Sequence, residues 1–205
     1  MNVSSEGFAP PSRPASPIVS FMPPKPIVIV GLVGCGKTSI GKRLAKRFDL
    51  PFSDSDQEVE AAAGCSIGDI DSIFGEGTMK TGEYKVLTRL INQQTQVVAT
   101  GCTSFSYDKT RELVKEKAIS VWLKADLPTL LMRVTGRKGR PLLEIGREEE
   151  ILTDMMNVQY PLFEEADVCV QTYDEPANIT VDRVIIAISE FIKQQYPDYH
   201  VLKSV

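Results

Sequence analysis

The chain holds a single histidine, His200, near its end, and four widely spaced cysteines: Cys35, Cys65, Cys102 and Cys169. With no CxxC spacing and no histidine in the body of the chain, a Cys/His zinc cluster is excluded. So is a Cys–His or Ser–His catalytic pair within the domain. Unpaired, dispersed cysteines suit a reducing compartment, and a cytoplasmic protein is expected. No apolar run approaches the length of a membrane span, so no membrane association is expected. Basic residues (23) do not outnumber acidic ones (27), and a net charge of −4 argues against a nucleic-acid partner. The N-terminus has no basic start followed by an apolar stretch, which excludes a secretory signal. Its single arginine and early Glu6 argue against an organellar transit peptide. No internal repeat is present.

What the chain does have is Gly31-Leu32-Val33-Gly34-Cys35-Gly36-Lys37-Thr38. Before it runs Pro26-Ile27-Val28-Ile29-Val30, apolar and β-branched, which predicts a buried strand of a parallel sheet. After it, Ile40, Leu44, Ala45 and Phe48 recur at helical spacing among basic residues. Strand, glycine turn and helix make the pattern GxxxxGK[ST] a phosphate site. Glycines let successive backbone N–H groups converge on phosphate oxygens, and the helix N-terminus adds partial positive charge. Lys37 can reach the outer phosphates and the Thr38 hydroxyl can ligate Mg²⁺. A nucleoside triphosphate is the expected ligand.

At 205 residues one domain is expected, over residues 26–195. Residues 1–25 carry six prolines among serines and predict a disordered leader; 196–205 form a tail. Leu50 to Asp56 predicts a short strand ending in Asp54 and Asp56, which on an extended chain point the same way. Acids at a strand end in an open α/β sheet line the ligand crevice and can serve a metal and a hydroxyl. Asp56 also fits as a helix N-cap. Residues 61–90 predict helix with breaks at Gly64 and around Gly75 and Gly77, and Ser66 to Asp69 predicts a helix start. Further strands are expected at 96–100, 118–123 and 166–170, with helices at 109–117, 126–135, 148–164 and 179–195. Gly136 to Pro141 is a basic loop in an acidic protein, which suggests anion contact. The alternation predicts an α/β fold: three layers around a five-stranded parallel sheet with right-handed crossovers, and a mobile lid at about 135–146.

In their order the pieces GLVGCGKT, FSDSDQEVE, MKTGE, ATGCT, GRKGRPLL and YPLFEEAD resemble the shikimate kinases, P-loop kinases of the nucleoside-monophosphate-kinase fold. The resemblance covers about residues 26–193. It implies transfer of the γ-phosphoryl of ATP, with Mg²⁺, to a hydroxyl of shikimate or a related hydroxylated acid, by a monomer. It implies that Gly34, Cys35, Gly36, Lys37, Thr38 and Ser39 hold phosphates, that Thr38 and Asp54 serve Mg²⁺, and that Asp56 orients the acceptor hydroxyl. By the same resemblance Arg140 is the lid arginine, Arg133 packs on the adenine and Pro176 lies on its other face. Lys37, Asp56 and Arg140 are thereby the implied catalytic residues. Such chemistry needs positioning and charge neutralisation more than covalent participation.

Departures from the family pattern cluster on the acceptor side. Lys80 and Gln159 stand where the family has arginines that grip the acceptor carboxylate, and Gly101-Cys102-Thr103 replaces a three-glycine turn. Lysine keeps charge without the bidentate fork, and Gln159 keeps donors without charge. If the turn needs positive φ, Thr103 is strained. Three readings stay open at this point: a shikimate kinase, a same-fold kinase for another small hydroxylated acceptor, and a nucleotide-binding relative with weakened catalysis.

Overall fold

The apolar runs form the strands β1 (Ile27–Val30), β2 (Phe52–Asp54), β3 (Val97–Ala99), β4 (Ile119–Lys124) and β5 (Val168–Gln171). The computed structural model describes residues 21–135 and 146–199, apart from the side chains of Asp71, Phe74 and Glu76. The lid expectation with Arg140, the leader over 1–20 and the end of the tail lie outside the described residues. The five strands form one sheet in the order β2-β3-β1-β4-β5 with every pair parallel. Because β1 lies at the centre, all four of its residues are buried, which explains its unbroken run of Ile and Val.

Helices cover both faces: α1 (Lys37–Phe48), α2 (Ser55–Ala63), α3 (Ile67–Phe74), α4 (Glu76–Gln93), α5 (Asp108–Lys117), α6 (Leu127–Val134), α7 (Glu148–Phe163) and α8 (Ala177–Gln195). The expected break at Gly64 is the left-handed C-cap of α2 (φ 72°), and Ser66 accepts from the Asp69 N–H at the start of α3. On α8, Val181, Val184, Ile185, Ile188 and Ile192 are all buried at helical spacing. Each such side chain contributes roughly 1.5–3 kcal/mol by leaving water. Under α7, Trp122 of β4 meets Tyr160 edge-on at 5.1 Å and Phe163 at 5.9 Å, which fixes the helix that carries Gln159.

Composition draws the leader as far as residue 25, yet its last residues pack on the domain. Phe21 is 4% exposed and lies edge-on to Phe48 at 5.1 Å; Lys25 donates to the Glu116 carbonyl. From the other end, the Tyr199 hydroxyl donates to the Met22 carbonyl. The prolines conceal this because one well-placed aromatic ring suffices to anchor a short segment.

Candidate functional site

The site lies along the C-terminal ends of β1, β2 and β3, where a parallel sheet leaves its crevice. Hydrogen bonds stitch these ends together. Thr100 donates through both N–H and Oγ1 to the Ile29 carbonyl (3.1 Å each), and Gly101 N–H donates to Ser55 Oγ (3.2 Å).

After β1 the chain turns through Gly34 (φ 87°) and Gly36 (φ 104°), conformations that L-residues with a side chain rarely adopt, and enters α1 at Lys37. Lys37 Nζ donates to the carbonyls of Gly31 (2.7 Å) and Leu32 (3.2 Å), holding the loop in its curl. Cys35 is buried, and Ser39 is exposed with its hydroxyl accepting from Arg43. Thr38 Oγ1 donates to Asp54 Oδ2 at 2.8 Å, so a hydroxyl and a carboxylate from two elements meet at the mouth of the loop. These hard oxygen donors suit Mg²⁺, which is held by one or two protein oxygens plus phosphates and water. Among the described residues no larger group of His, Cys, Asp or Glu could hold a metal.

The expectation that Asp54 and Asp56 project together from an extended chain is corrected. β2 stops at Asp54, whose Oδ1 accepts from the Asp56 N–H (3.2 Å) and caps α2. Asp54, not Asp56, is therefore the N-cap, and Asp56 stands in the first turn of α2. The capping bond decides this, since it fixes Asp54 and turns the next residue into the helix. Asp56 points at the end of β3 instead. A Cβ placed on Gly101 would lie 2.5 Å from Asp56 Oδ1, 3.0 Å from Ser104 Oγ and 3.2 Å from Glu83 Oε1. Close approach, not a positive φ, is what favours glycine at 101.

Burial, then the neighbouring Asp54, push the Asp56 carboxyl up to about 6, against the pull of Lys37. Burial, then Asp56, push Glu83 up to about 7, while Ser104 and Lys80 pull it down. The Cys102 thiol is raised by burial and lies within the fields of Lys37, Asp56 and Glu83. Lys80 sits one helical turn before Glu83 on α4, close enough to act on its charge. Thr103 has φ −103° in the helical region, so the feared strain is absent and the turn accepts a β-branched residue.

Gln159 is 6% exposed, and its amide is engaged with Ser106: Nε2 donates to Ser106 Oγ (2.6 Å) and the same hydroxyl donates to Oε1 (2.9 Å). The 3₁₀ turn Ser104–Ser106 that follows Thr103 thereby ties α7 to the turn after β3. Arg133 of α6 reaches across to the loop, donating to the carbonyls of Gly34 (3.4 Å), Cys35 (3.3 Å) and Tyr173 and to Thr172 Oγ1 (3.4 Å). It bridges the phosphate loop and the segment after β5 that ends at Pro176, the N-cap of α8.

Glu83, Ser104 and Ser106 were not singled out by sequence reasoning. For Glu83 a signal existed: it continues the buried stripe Val86, Leu87, Leu90 and Ile91 of α4, where a carboxylate needs a reason. The two serines carry no sequence signal, because only packing brings them to the turn.

The family model of shikimate kinase matches residues 33–189. The chain is 43% identical over 187 residues to a shikimate kinase of Paramagnetospirillum magneticum, covering 91% of this chain and 96% of that one. A shikimate kinase of Caulobacter vibrioides is 44% identical over 166 residues (81% and 83%). Among solved structures, the shikimate kinase of Acinetobacter baumannii in complex with shikimate matches with a TM-score of 0.79 at 31% identity, over 85% of this chain and 98% of that one. With its parallel sheet, its phosphate loop and these relatives, the chain belongs to the shikimate kinase family of ATP-dependent P-loop kinases.

Proposed function

We propose that the protein transfers the γ-phosphoryl group of ATP to a hydroxyl of shikimate. The observation that carries the reading is the Asp56 oxygen beside Gly101. It is buried, without a hydrogen-bond partner among the described residues, and within the field of Lys37. A group so placed next to a phosphate loop suits the orientation of an acceptor hydroxyl and acceptance of its proton. Its carboxyl is raised toward neutrality, which favours proton exchange near physiological pH.

In this reading the loop N–H groups and Lys37 draw charge from the outer phosphates, and Thr38 with Asp54 would hold Mg²⁺. The ion, when bound, neutralises phosphate charge. Arg133 braces the loop against the segment before Pro176, on the side where a nucleotide base would lie. Arg140 is assigned to the transferring phosphoryl group on the family resemblance alone. Lys80 supplies positive charge to the acceptor carboxylate, and Cys102 and Thr103 line its backbone turn.

One observation favours a second acceptor class: Gln159, neutral and bonded to Ser106, offers no charge to a carboxylate. A coupled assay of ADP release with shikimate, beside a panel of carboxylate-free polyols, separates the two. Shikimate-dependent turnover with a KM within the usual range below about 1 mM is expected. Turnover on polyols alone, or on nothing, would sink the proposal.

A further inference from the structure

The acidic end of the run YPLFEEAD has no part in the transfer chemistry, yet an arginine joins its Glu165 to the turn after β3. Arg111 of α5 carries its guanidinium into a three-way junction, with 15% of the side chain exposed. Nη1 donates to the Phe105 carbonyl (2.9 Å) and Nη2 to Asp108 Oδ1 (2.7 Å), while Nε lies 3.1 Å from Glu165 Oε1. Asp108 belongs to the same helix and is exposed, so it orients Arg111 without joining elements. The other two contacts do join elements. Phe105 is the middle residue of the 3₁₀ turn Ser104–Ser106, and Glu165 is fixed at the end of α7, its N–H donating to the Leu162 carbonyl (3.2 Å). A planar guanidinium presents its donors in fixed directions, so it sets the Phe105 carbonyl relative to both helices. The buried Phe105 ring packs on Phe163 at 6.0 Å, so α7 holds this residue by its side chain as well. From there the hold passes back along the chain, because the Ser106 N–H donates to the Thr103 carbonyl (2.9 Å).

We propose that Arg111 is a positioning residue for the acceptor. Held by Glu165, it fixes the Phe105 carbonyl and, through the 3₁₀ turn, the backbone of Cys102 and Thr103. The inference rests on the proposed place of that turn against the acceptor. Arg111 acts through the backbone and not through its charge, since its guanidinium faces Phe105, Asp108 and Glu165. The paired Arg111 and Glu165 thereby let α7 and α5 set the shape of a turn that neither helix contains.

The test compares the full chain with Arg111→Ala, Glu165→Gln and the double variant. Arg111→Ala is expected to raise the shikimate KM about 10-fold and to change kcat less than about 3-fold. Affinity for a fluorescent ATP analogue should not change, because the phosphate loop leaves a different strand. Glu165→Gln keeps the size but not the charge, and a rise in KM of about 3-fold is expected. Since the two residues act as one unit, the double variant should match Arg111→Ala alone. Effects on KM that simply multiply would overturn the proposal. So would an equal loss of nucleotide affinity, which marks a general loss of structure. A readout independent of turnover is amide hydrogen exchange in the ligand-free protein. The peptide spanning 101–106 is expected to exchange faster in Arg111→Ala, with the peptide of α1 unchanged. Unchanged exchange at 101–106 would overturn the proposal even in an active enzyme. Should Arg111→Ala not fold, Glu165→Gln at its half-exposed position carries the same test: unchanged KM and exchange there overturn the proposal. If exchange rises at 101–106 but the wild type does not turn over shikimate, the acceptor reading fails and the hold of Arg111 on the turn stands.

Discussion

The phosphate loop is built from adjacent residues, and the proposed acceptor side from distant ones. Gly31 to Thr38 is one continuous stretch at the end of β1, with Lys37 bonded to carbonyls only six and five residues away. Asp56, Lys80, Glu83, Gly101 and Gln159 come from α2, α4, the turn after β3 and α7. A local site depends on turn chemistry that a short motif encodes. A distributed site depends on how helices pack, and it can be rebuilt by single substitutions on separate elements. By its resemblance to the shikimate kinases, we propose that the chain keeps the first and departs in the second at Lys80, Gln159 and Cys102-Thr103.

The sharpest way to break this contrast is Lys37→Ala. Loss of its charge from the outer phosphates is expected to cost at least about 1,000-fold in kcat with any acceptor. Steady-state kinetics check it, and an active variant would remove the loop from the mechanism. Next in size is Gly101→Ala, whose added Cβ would meet Asp56 Oδ1 at 2.5 Å and displace it. A fall of about 100-fold in kcat/KM for the acceptor is expected. Nucleotide affinity, measured by titration with a fluorescent ATP analogue, should not change. An equal loss of both would mean the two halves are not separable.

Lys80→Arg combined with Gln159→Arg is expected to act only on the acceptor side, lowering the shikimate KM by about 10-fold. The gain comes against the loss of the buried Gln159–Ser106 pair, so the melting temperature should fall at the same time. An unchanged KM would move these positions away from the carboxylate. The smallest effect is expected for Thr103→Gly. Because Thr103 already has a helical backbone, glycine relieves nothing and should destabilise by up to about 1 kcal/mol in urea denaturation. A gain in stability would reveal strain at the turn.

Strand and helix alternation was legible because each buried strand announces itself: Ile27–Val30 by β-branching, Ile119–Leu123 by an apolar run around Trp122. The Asp54–Asp56 stretch was legible as a site but not in its geometry. Alternation along a strand treats the two acids alike, whereas a single capping bond from Asp56 N–H to Asp54 Oδ1 separates them. Thr103 misled for the opposite reason: a family's glycine suggests positive φ, while here glycine is favoured at 101 and on steric grounds.

By itself the sequence determined the parallel α/β fold, the phosphate loop and its ligand class, since these rest on periodicity and on conformations that only glycine adopts freely. Only the tertiary structure decided that Glu83 faces Asp56, that Gln159 is held by Ser106 and that Arg133 braces the loop. Those contacts join residues from 27 to 99 positions apart. Pairing over such distances is set by the packing of whole elements, which no local pattern records.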